Sequence, residues 1–277
     1  MITVLHKVTG ALLLELPAET LAEADLARAV LLGADLKGAD LRGADLRGAD
    51  LCQADLSEAN LAGARLAGAD ITLANIAGAS FRGAQLADAR LQAVALEVAG
   101  PARIDFRGAD LTRVTLKNSN LAESDFRDAK MRRVDLTHVG LAGADLTGAD
   151  LTEADLSYSV LTGANLRSAA LVSALFNGVD LRNADLRDAE LAYVALNGVR
   201  LAGADLSNAS FSKTVLARCH DLHLATGLDS IQHSSLSAVD IDTLRHCGAR
   251  LPAEFLEGVG MDQEEVERLR PASADTG

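Results

Sequence analysis

GADLKGADLRGADLRGADLCQADL, residues Gly33–Leu56, is a five-residue unit repeated in one register that runs almost unbroken to Leu216. A large apolar residue, usually Leu, returns at every fifth position (Leu36, Leu41, Leu46, Leu51), with Phe106, Phe126, Leu146, Phe176 and Phe211 further on. Two residues earlier stands a small one, usually Ala, and between the two usually Asp or Asn. A period of five fits neither a helix nor a continuous strand. It does fit a short extended segment followed by a corner. In such a segment residues two apart share a side, so Ala34 and Leu36 face inward and Asp35 faces water. The second residue after the apolar one is Gly fifteen times between Gly33 and Gly203. A corner that requires positive φ takes Gly most readily. One unit alone buries almost nothing, whereas stacked coils bury a continuous Leu and Ala column.

The A-(D/N)-L-x-x pattern resembles the pentapeptide repeat family over roughly two-thirds of the chain. The resemblance implies an all-β solenoid, a right-handed quadrilateral parallel β-helix with four units per coil and residues twenty apart stacked on one side. The thirty-seven central residues from Leu36 to Leu216 then make about nine coils. At ~4.8 Å per layer the rod is about 44 Å long.

Outside the clean repeat the chain divides into 1–33, an N-terminal cap; 34–216, the rod; and 217–277, a helical C-terminal cap and tail. Ile2–Val8 and Ala11–Leu16 read as a hairpin joined at Thr9-Gly10 that could shield the first coil's edge. Thr20-Leu21-Ala22-Glu23 is a capping-box signature, so a short helix up to Leu32 is expected. The alternative is that Leu21, Leu26 and Leu31, which keep the register, extend the repeat. Pro101 occupies a central slot, and a local bulge or kink is expected over 97–104, because Pro removes a ladder donor. Val94, Val114 and Val134 should stack on one side, and Phe106 and Phe126 on another. Helical signals follow at Val239–Cys247, Pro252–Glu257 and Asp262–Arg270, the last with Glu265 completing a cap. This segment is similar to one found in multidomain bacterial proteins between pentapeptide repeats and a TIR signalling domain. The matching residues are Gly227-Leu228, His233, Asp242-Thr243-Leu244, Gly248, Pro252, Phe255-Leu256, Gly258 and Gly260. The match departs at Ser234-Ser235-Leu236. It implies an end cap and a docking element, not the signalling activity.

Net charge is −13: residues 1–20 carry −1, residues 21–216 carry −6 and residues 217–277 carry −6. That sign disfavours direct nucleic-acid binding. No apolar run is long enough to span a bilayer, and the N-terminus has no basic lead or cleavage site. The three cysteines, Cys52, Cys219 and Cys247, are unpatterned and suit a reducing compartment, so cytoplasm is expected.

A rod filled by its own leucines offers no pocket for catalysis, so no enzyme activity and no cofactor are expected. Cys219-His220-Asp221-x-His223, with His233, His246 and Cys247, is the nearest approach to a metal set. Its spacing matches no standard pattern. The residues are read as ordinary capping residues, and no metal ligand is assigned. Two departures on the surface are more informative. Arg113, Lys130, Arg132 and Arg133 make a basic spot, and Tyr158, Val160, Val172, Leu175 and Tyr193 put apolar groups at outward slots. Clustered exposed apolar groups mark contact sites; a partner surface, self-association, contact with the C-terminal tail and incidental exposure all stay open for them.

Two functions follow. One is a protein-interaction scaffold. The other, implied by the family, is a DNA mimic that binds DNA gyrase or topoisomerase IV and protects it from poisons. Duplex DNA of the rod's length carries about 26 negative charges at one per ~1.7 Å. Sorting outward residues from Asp35 to Arg218 at a strict spacing of twenty gives +2, −3, 0 and −3 on the four sides, two opposing sides being acidic. Family members that bind gyrase use Phe heavily in the central slot, whereas Leu dominates here. The scaffold is the favoured reading, the topoisomerase partner the alternative, and a homodimer is left open.

Overall fold

The computed structural model describes residues 1–91 and 104–269. Strands β1 (Ile2–Leu5) and β2 (Leu12–Leu16) pair antiparallel. They lie on the open edge of the first coils, where Lys7 N donates to Gly33 O at 2.8 Å and Asp35 N to Leu5 O at 2.8 Å. The edge that would otherwise recruit another chain is therefore paired.

Next comes a parallel β-solenoid whose core column is almost wholly inaccessible. Leu41, Leu46, Leu51, Phe106, Phe126, Leu146, Phe176 and Phe211 are each 0% exposed and Leu36 is 3%. Each unit makes the same bonds. Leu36 N donates to Asp55 O of the next coil (2.8 Å) and Asp55 N returns to Ala34 O (2.8 Å). At the corner Ala39 N donates to Leu36 O at 3.0 Å, closing a four-residue turn. The second corner residue is left-handed whatever its identity: Gly38 has φ 64°, Arg113 57° and Tyr193 60°. The recurrent Asp also has a structural task. Its carboxylate accepts the backbone N–H of the first corner residue, as in Asp55 Oδ1 to Ser57 N (3.0 Å) and Asp110 Oδ1 to Thr112 N (3.1 Å).

No helix forms at 20–32. Leu21, Leu26 and Leu31 are 2%, 2% and 1% exposed and continue the column. Leu26 N donates to Asp45 O (2.8 Å) and Leu31 N to Asp50 O (2.7 Å). A helix could bury only one stripe against the rod and would leave those ladder groups unpaired, so tertiary pairing overrides the capping box. The rod therefore begins near residue 20, not at 34.

The expected irregularity at 97–104 and Val94 fall in or at the edge of the stretch outside the described residues. The residues flanking that stretch nevertheless fix its effect. Elsewhere in the repeats bridged residues are twenty apart, as in Asp45 to Arg65. Across this stretch they are twenty-five apart: Ser80 bridges Asp105, Gln85 bridges Asp110 and Arg90 bridges Thr115. The chain thus takes five more residues to come round to the same side, and every later residue lies one side short of where a strict twenty-residue count assigns it. Phe106 stacks on Phe126 (ring centroids 5.0 Å) as expected, and also on Phe81 (5.2 Å), twenty-five residues earlier. Val114 and Val134 lie in adjacent coils, joined where Asp135 N donates to Val114 O at 2.9 Å.

Regular strands appear in the last coils: β3 (Leu175–Asn177), β4 (Glu190–Ala192), β5 (Ala195–Asn197), β6 (Ser210–Ser212) and β7 (Val215–Ala217). The ladder then runs past Leu216. Thr226 bridges Asp205, β8 (Gln232–His233) pairs with β6, and β9 (Ala238–Val239) pairs with β7. Residues 217–240 are thus one more coil, wound progressively wider, with spacings of 21, 22 and 23. Backbone pairing needs no Leu, which is why the periodic pattern stops before the solenoid does. Helices α1 (Ile241–Cys247), α2 (Ala253–Gly258) and α3 (Gln263–Leu269) close the end, burying Leu251, Phe255, Leu256 and Val266. Asp262 and Glu265 exchange hydrogen bonds at 2.9 Å each, a reciprocal capping box at the start of α3.

Candidate interaction surface

The lengthened coil redistributes the surface. Numbering the sides by the central residues they carry, Leu41 and Phe106 lie on side 1, Leu46 and Met131 on side 2, Leu51 and Phe176 on side 3, and Leu36 and Leu181 on side 4. Outward residues from Asp35 to Arg218, leaving out 92–103, then carry −2, +1, −1 and −2 on sides 1 to 4. The two acidic sides of −3 do not exist, and the two most acidic sides are adjacent, not opposed. This corrects the count made at a strict spacing of twenty.

The apolar candidates bracket side 3 near the C-terminal end. Leu175 (48% exposed) begins one unit of that side, with Ala195 and Val215 (42%) above it in the same slot. Tyr193 (56%) sits on the corner entering side 3, with Lys213 Nζ 5.2 Å from its ring centroid. Tyr158 (59%) sits on the corner leaving it, stacked on His138 at 5.2 Å, and Val160 begins side 4 just beyond. Val172 is half-buried on side 2 below Tyr193. The five residues therefore form two edges, not one patch.

Between those edges the slots that elsewhere hold Asp and Arg hold Leu175, Ala195 and Val215, then Asn177, Asn197 and Ala217. The two asparagines form a ladder: Asn197 Nδ2 donates to Asn177 Oδ1 (3.3 Å) and Asn177 Nδ2 to Ser157 Oγ (3.1 Å). Gly178 and Gly198 floor a shallow depression walled by Tyr158 at one end and Arg218 at the other. At Gly178 a Cβ would meet the Tyr158 ring at 3.0 Å, so the ring leans across the missing side chain. Ala195, Val215, His138 and this depression escape a reading by residue type. The recurrence of apolar residues at 175, 195 and 215, in a slot usually given to Asp, was the available signal.

The basic spot on side 2 is largely neutralised from coil to coil. Arg113 pairs with Asp88 (2.5 Å), Arg132 with Asp150 (3.3 Å) and Arg133 with Glu153 (2.8 Å). Lys130 is exposed beside them. Other arginines of the rod pair either within a unit, as Arg127 with Asp125 (2.6 Å), or between coils, as Arg90 with Asp70 (2.7 Å). Asp45, 5% exposed, accepts from Arg47 (2.6 Å) and Arg65 (2.9 Å), and chiefly the Arg47 hydrogen bond holds its carboxyl down to about 2.

The sequence matches the pentapeptide repeats family in eight copies, over stretches that include 20–57, 54–92, 102–137 and 196–223. The chain belongs to the pentapeptide repeat family. Among solved structures it is similar to HetL, a pentapeptide repeat protein involved in heterocyst differentiation regulation in the cyanobacterium Nostoc. That match has 28% identity and TM-score 0.39, covering 77% of this chain and 91% of HetL. Rfr23 from the cyanobacterium Cyanothece is 36% identical over 31% of this chain and 58% of its own, with TM-score 0.30. Full-length QnrB1, a plasmid-mediated fluoroquinolone resistance protein, is 17% identical, with TM-score 0.35, over 72% of this chain and 91% of its own. No curated protein matches.

In this pentapeptide repeat protein the Cys and His residues of the cap are sorted by burial. Cys219 and Cys247 are 0% and 1% exposed; burial pushes the Cys219 thiol up to about 12 and the Cys247 thiol upward as well. Asp221 caps the coil below, accepting from Leu201 N (2.9 Å) and Ala202 N (3.1 Å). His233 packs edge-on to Phe211 and Phe255, both centroids at 5.9 Å, with neither ring nitrogen hydrogen-bonded. Burial accordingly lowers its pKa below the ordinary 6.5. His220 and His246 instead meet on the surface beside Asp242. Cys52 is half-buried at its outward slot, its N–H donated to Asp50 at 3.1 Å. Among the described residues no helix is long and apolar enough to cross a membrane.

Proposed function

We propose that this pentapeptide repeat scaffold is a non-catalytic docking rod that presents side 3 of its last coils to a protein partner. The supporting observation is the charge-free strip of Leu175, Ala195 and Val215 flanked by Tyr158 and Tyr193, on a rod whose other sides are laced with ion pairs. Exposed apolar residues grouped on a rigid surface, with aromatic groups at the rim, are what a protein interface uses. The free cysteines suit the cytoplasm.

The experiment is capture of the partner by wild type and by Leu175→Asp/Tyr193→Gly. Tyr193 already has φ 60°, so glycine enters its corner without strain and the rod stays folded. Loss of capture with unchanged circular dichroism supports the reading; undiminished capture sinks it. The alternative partner is DNA gyrase or topoisomerase IV, engaged by a mimic of duplex charge. Side charges between −2 and +1 supply little of the field that such imitation needs. Supercoiling and cleavage-protection assays at micromolar protein are therefore expected to show no effect, and clear protection would replace the scaffold reading.

A further inference from the structure

The sorting of Cys219-His220 and His246-Cys247 separates two kinds of group. The sulfurs point into the core, where Cys247 Sγ donates to Thr243 O at 3.0 Å. The imidazoles point out, half exposed, and meet ring to ring with centroids 4.0 Å apart and an interplanar angle of 27°. Both face one carboxylate. His220 Nε2 lies 2.6 Å from Asp242 Oδ2, and His246 Nδ1 lies 3.5 Å from Asp242 Oδ1. One ligand atom from each of the three residues lies within 4.8 Å of the others.

We propose that His220, Asp242 and His246 form a site for a divalent transition-metal ion of the zinc class, which clasps helix α1 to the last coil. The donor set is two imidazoles and one carboxylate, with the remaining positions left to water; that composition suits zinc, cobalt, nickel or copper and not magnesium or calcium. The ring of His246 is already oriented. Its Nδ1 lies 2.7 Å from the Asp242 main-chain carbonyl, which can only accept, so the proton sits on Nδ1 and the lone pair on Nε2. Asp242 and His246 are four residues apart on α1 and so share one face of the helix. His220 arrives from the coil below, twenty-two residues before Asp242, and gives the site its cross-link. Coordination through His220 Nε2 moves the ring proton to Nδ1, so the imidazole stays neutral, Asp242 exchanges its hydrogen bond for the ion, and only coordination bonds form. The buried thiols are no rivals as ligands, because both sulfurs are turned into the core, Cys219 Sγ donating to Leu196 O (3.3 Å) and Cys247 Sγ to Thr243 O.

The test uses the full chain, untagged and stripped of metal with a chelator, titrated with zinc by calorimetry and with cobalt by visible absorption. The expected result is one ion per chain. His220→Ala, His246→Ala and Asp242→Asn each weaken binding about a hundredfold, while His138→Ala, a surface histidine outside the site, leaves it unchanged. Zinc should also raise the unfolding midpoint of the cap in wild type and not in the three site variants, with magnesium inert in all. Circular dichroism of each variant confirms that the rod is intact. Binding weaker than about 1 mM, or binding that survives in His220→Ala and His246→Ala alike, overturns the proposal.

Discussion

The rod and its C-terminal closure are built on the same ladder and differ in what each residue must satisfy. In the rod, Asp45 bridges Arg65 and Asp125 bridges Asp145 at twenty residues, a spacing that changes only for the bridges spanning 92–103, and each described unit repeats the same inward pair and corner. In the closing coil the spacing widens from 21 to 23, the half-buried His233 takes the slot above Phe211, and helices seal the end. Where every unit satisfies its neighbour the sequence is interchangeable and the chemistry inert. Where the repeat stops at the C-terminal end, four of the six histidines and two of the three cysteines collect.

The sharpest way to break this contrast is in the two aromatic cores. Phe106→Ala, in the middle of the Phe81–Phe106–Phe126 stack, should cost about 3–5 kcal/mol of rod stability. Phe255→Ala removes as large a side chain yet should shift only the cap's transition, because a solenoid couples nearest neighbours. Guanidinium unfolding followed by circular dichroism, with amide exchange assigned by region, separates the two. Equal loss throughout the rod from Phe255→Ala would erase the distinction.

A smaller effect is expected at Gly258, where an added Cβ would lie 2.2 Å from His233 Cδ2. Gly258→Ala should destabilise the cap by about 1–3 kcal/mol through overpacking, seen as faster amide exchange in α2 and α3 with the rod unchanged.

Acid should then open the molecule in two stages. His233 has a folded pKa below its ordinary 6.5, so the unfolded chain binds more protons there and stability falls as pH drops below about 6.5. Asp45, held at about 2, contributes stability that is complete above the ordinary aspartate value and is lost as pH falls toward about 2. The cap should loosen first and the rod only in strong acid. Burial lowers the His223 pKa as well, so His233→Leu should weaken the first stage and His223→Leu/His233→Leu should abolish it, by melting scans from pH 7 to pH 4; a first stage undiminished in the double variant would assign it elsewhere.

The smallest effect concerns the corners. Leu73 is left-handed (φ 59°) and 51% exposed. Leu73→Gly should raise rod stability by roughly 0.5–1 kcal/mol, since relief of the left-handed penalty exceeds the added chain entropy. A loss would mean that Leu73 packs in a way its exposure does not suggest.

Much of this was legible in residue order. Leu at every fifth place is a local signal, and it identified the inward column; Asp262 with Glu265 announced the last helix. The expected helix at 20–32 was wrong because a capping box is also local, whereas Leu26 and Leu31 are held by Asp45 and Asp50 one coil away. The candidate surface was half legible: Tyr158, Leu175 and Tyr193 stood out by type, but their division between two edges of side 3 did not.

A five-residue period determines, by itself, which side chains enter the core, because inward and outward alternate within each unit at short range. It cannot determine which units stack. An insertion of five residues leaves the period untouched and yet turns every later unit by one side, so the charge on each side, the strip above Leu175 and the meeting of His220 with Asp242 and His246 exist only once the coils are closed. Stacking is a long-range hydrogen-bond register, and only the tertiary structure chooses it.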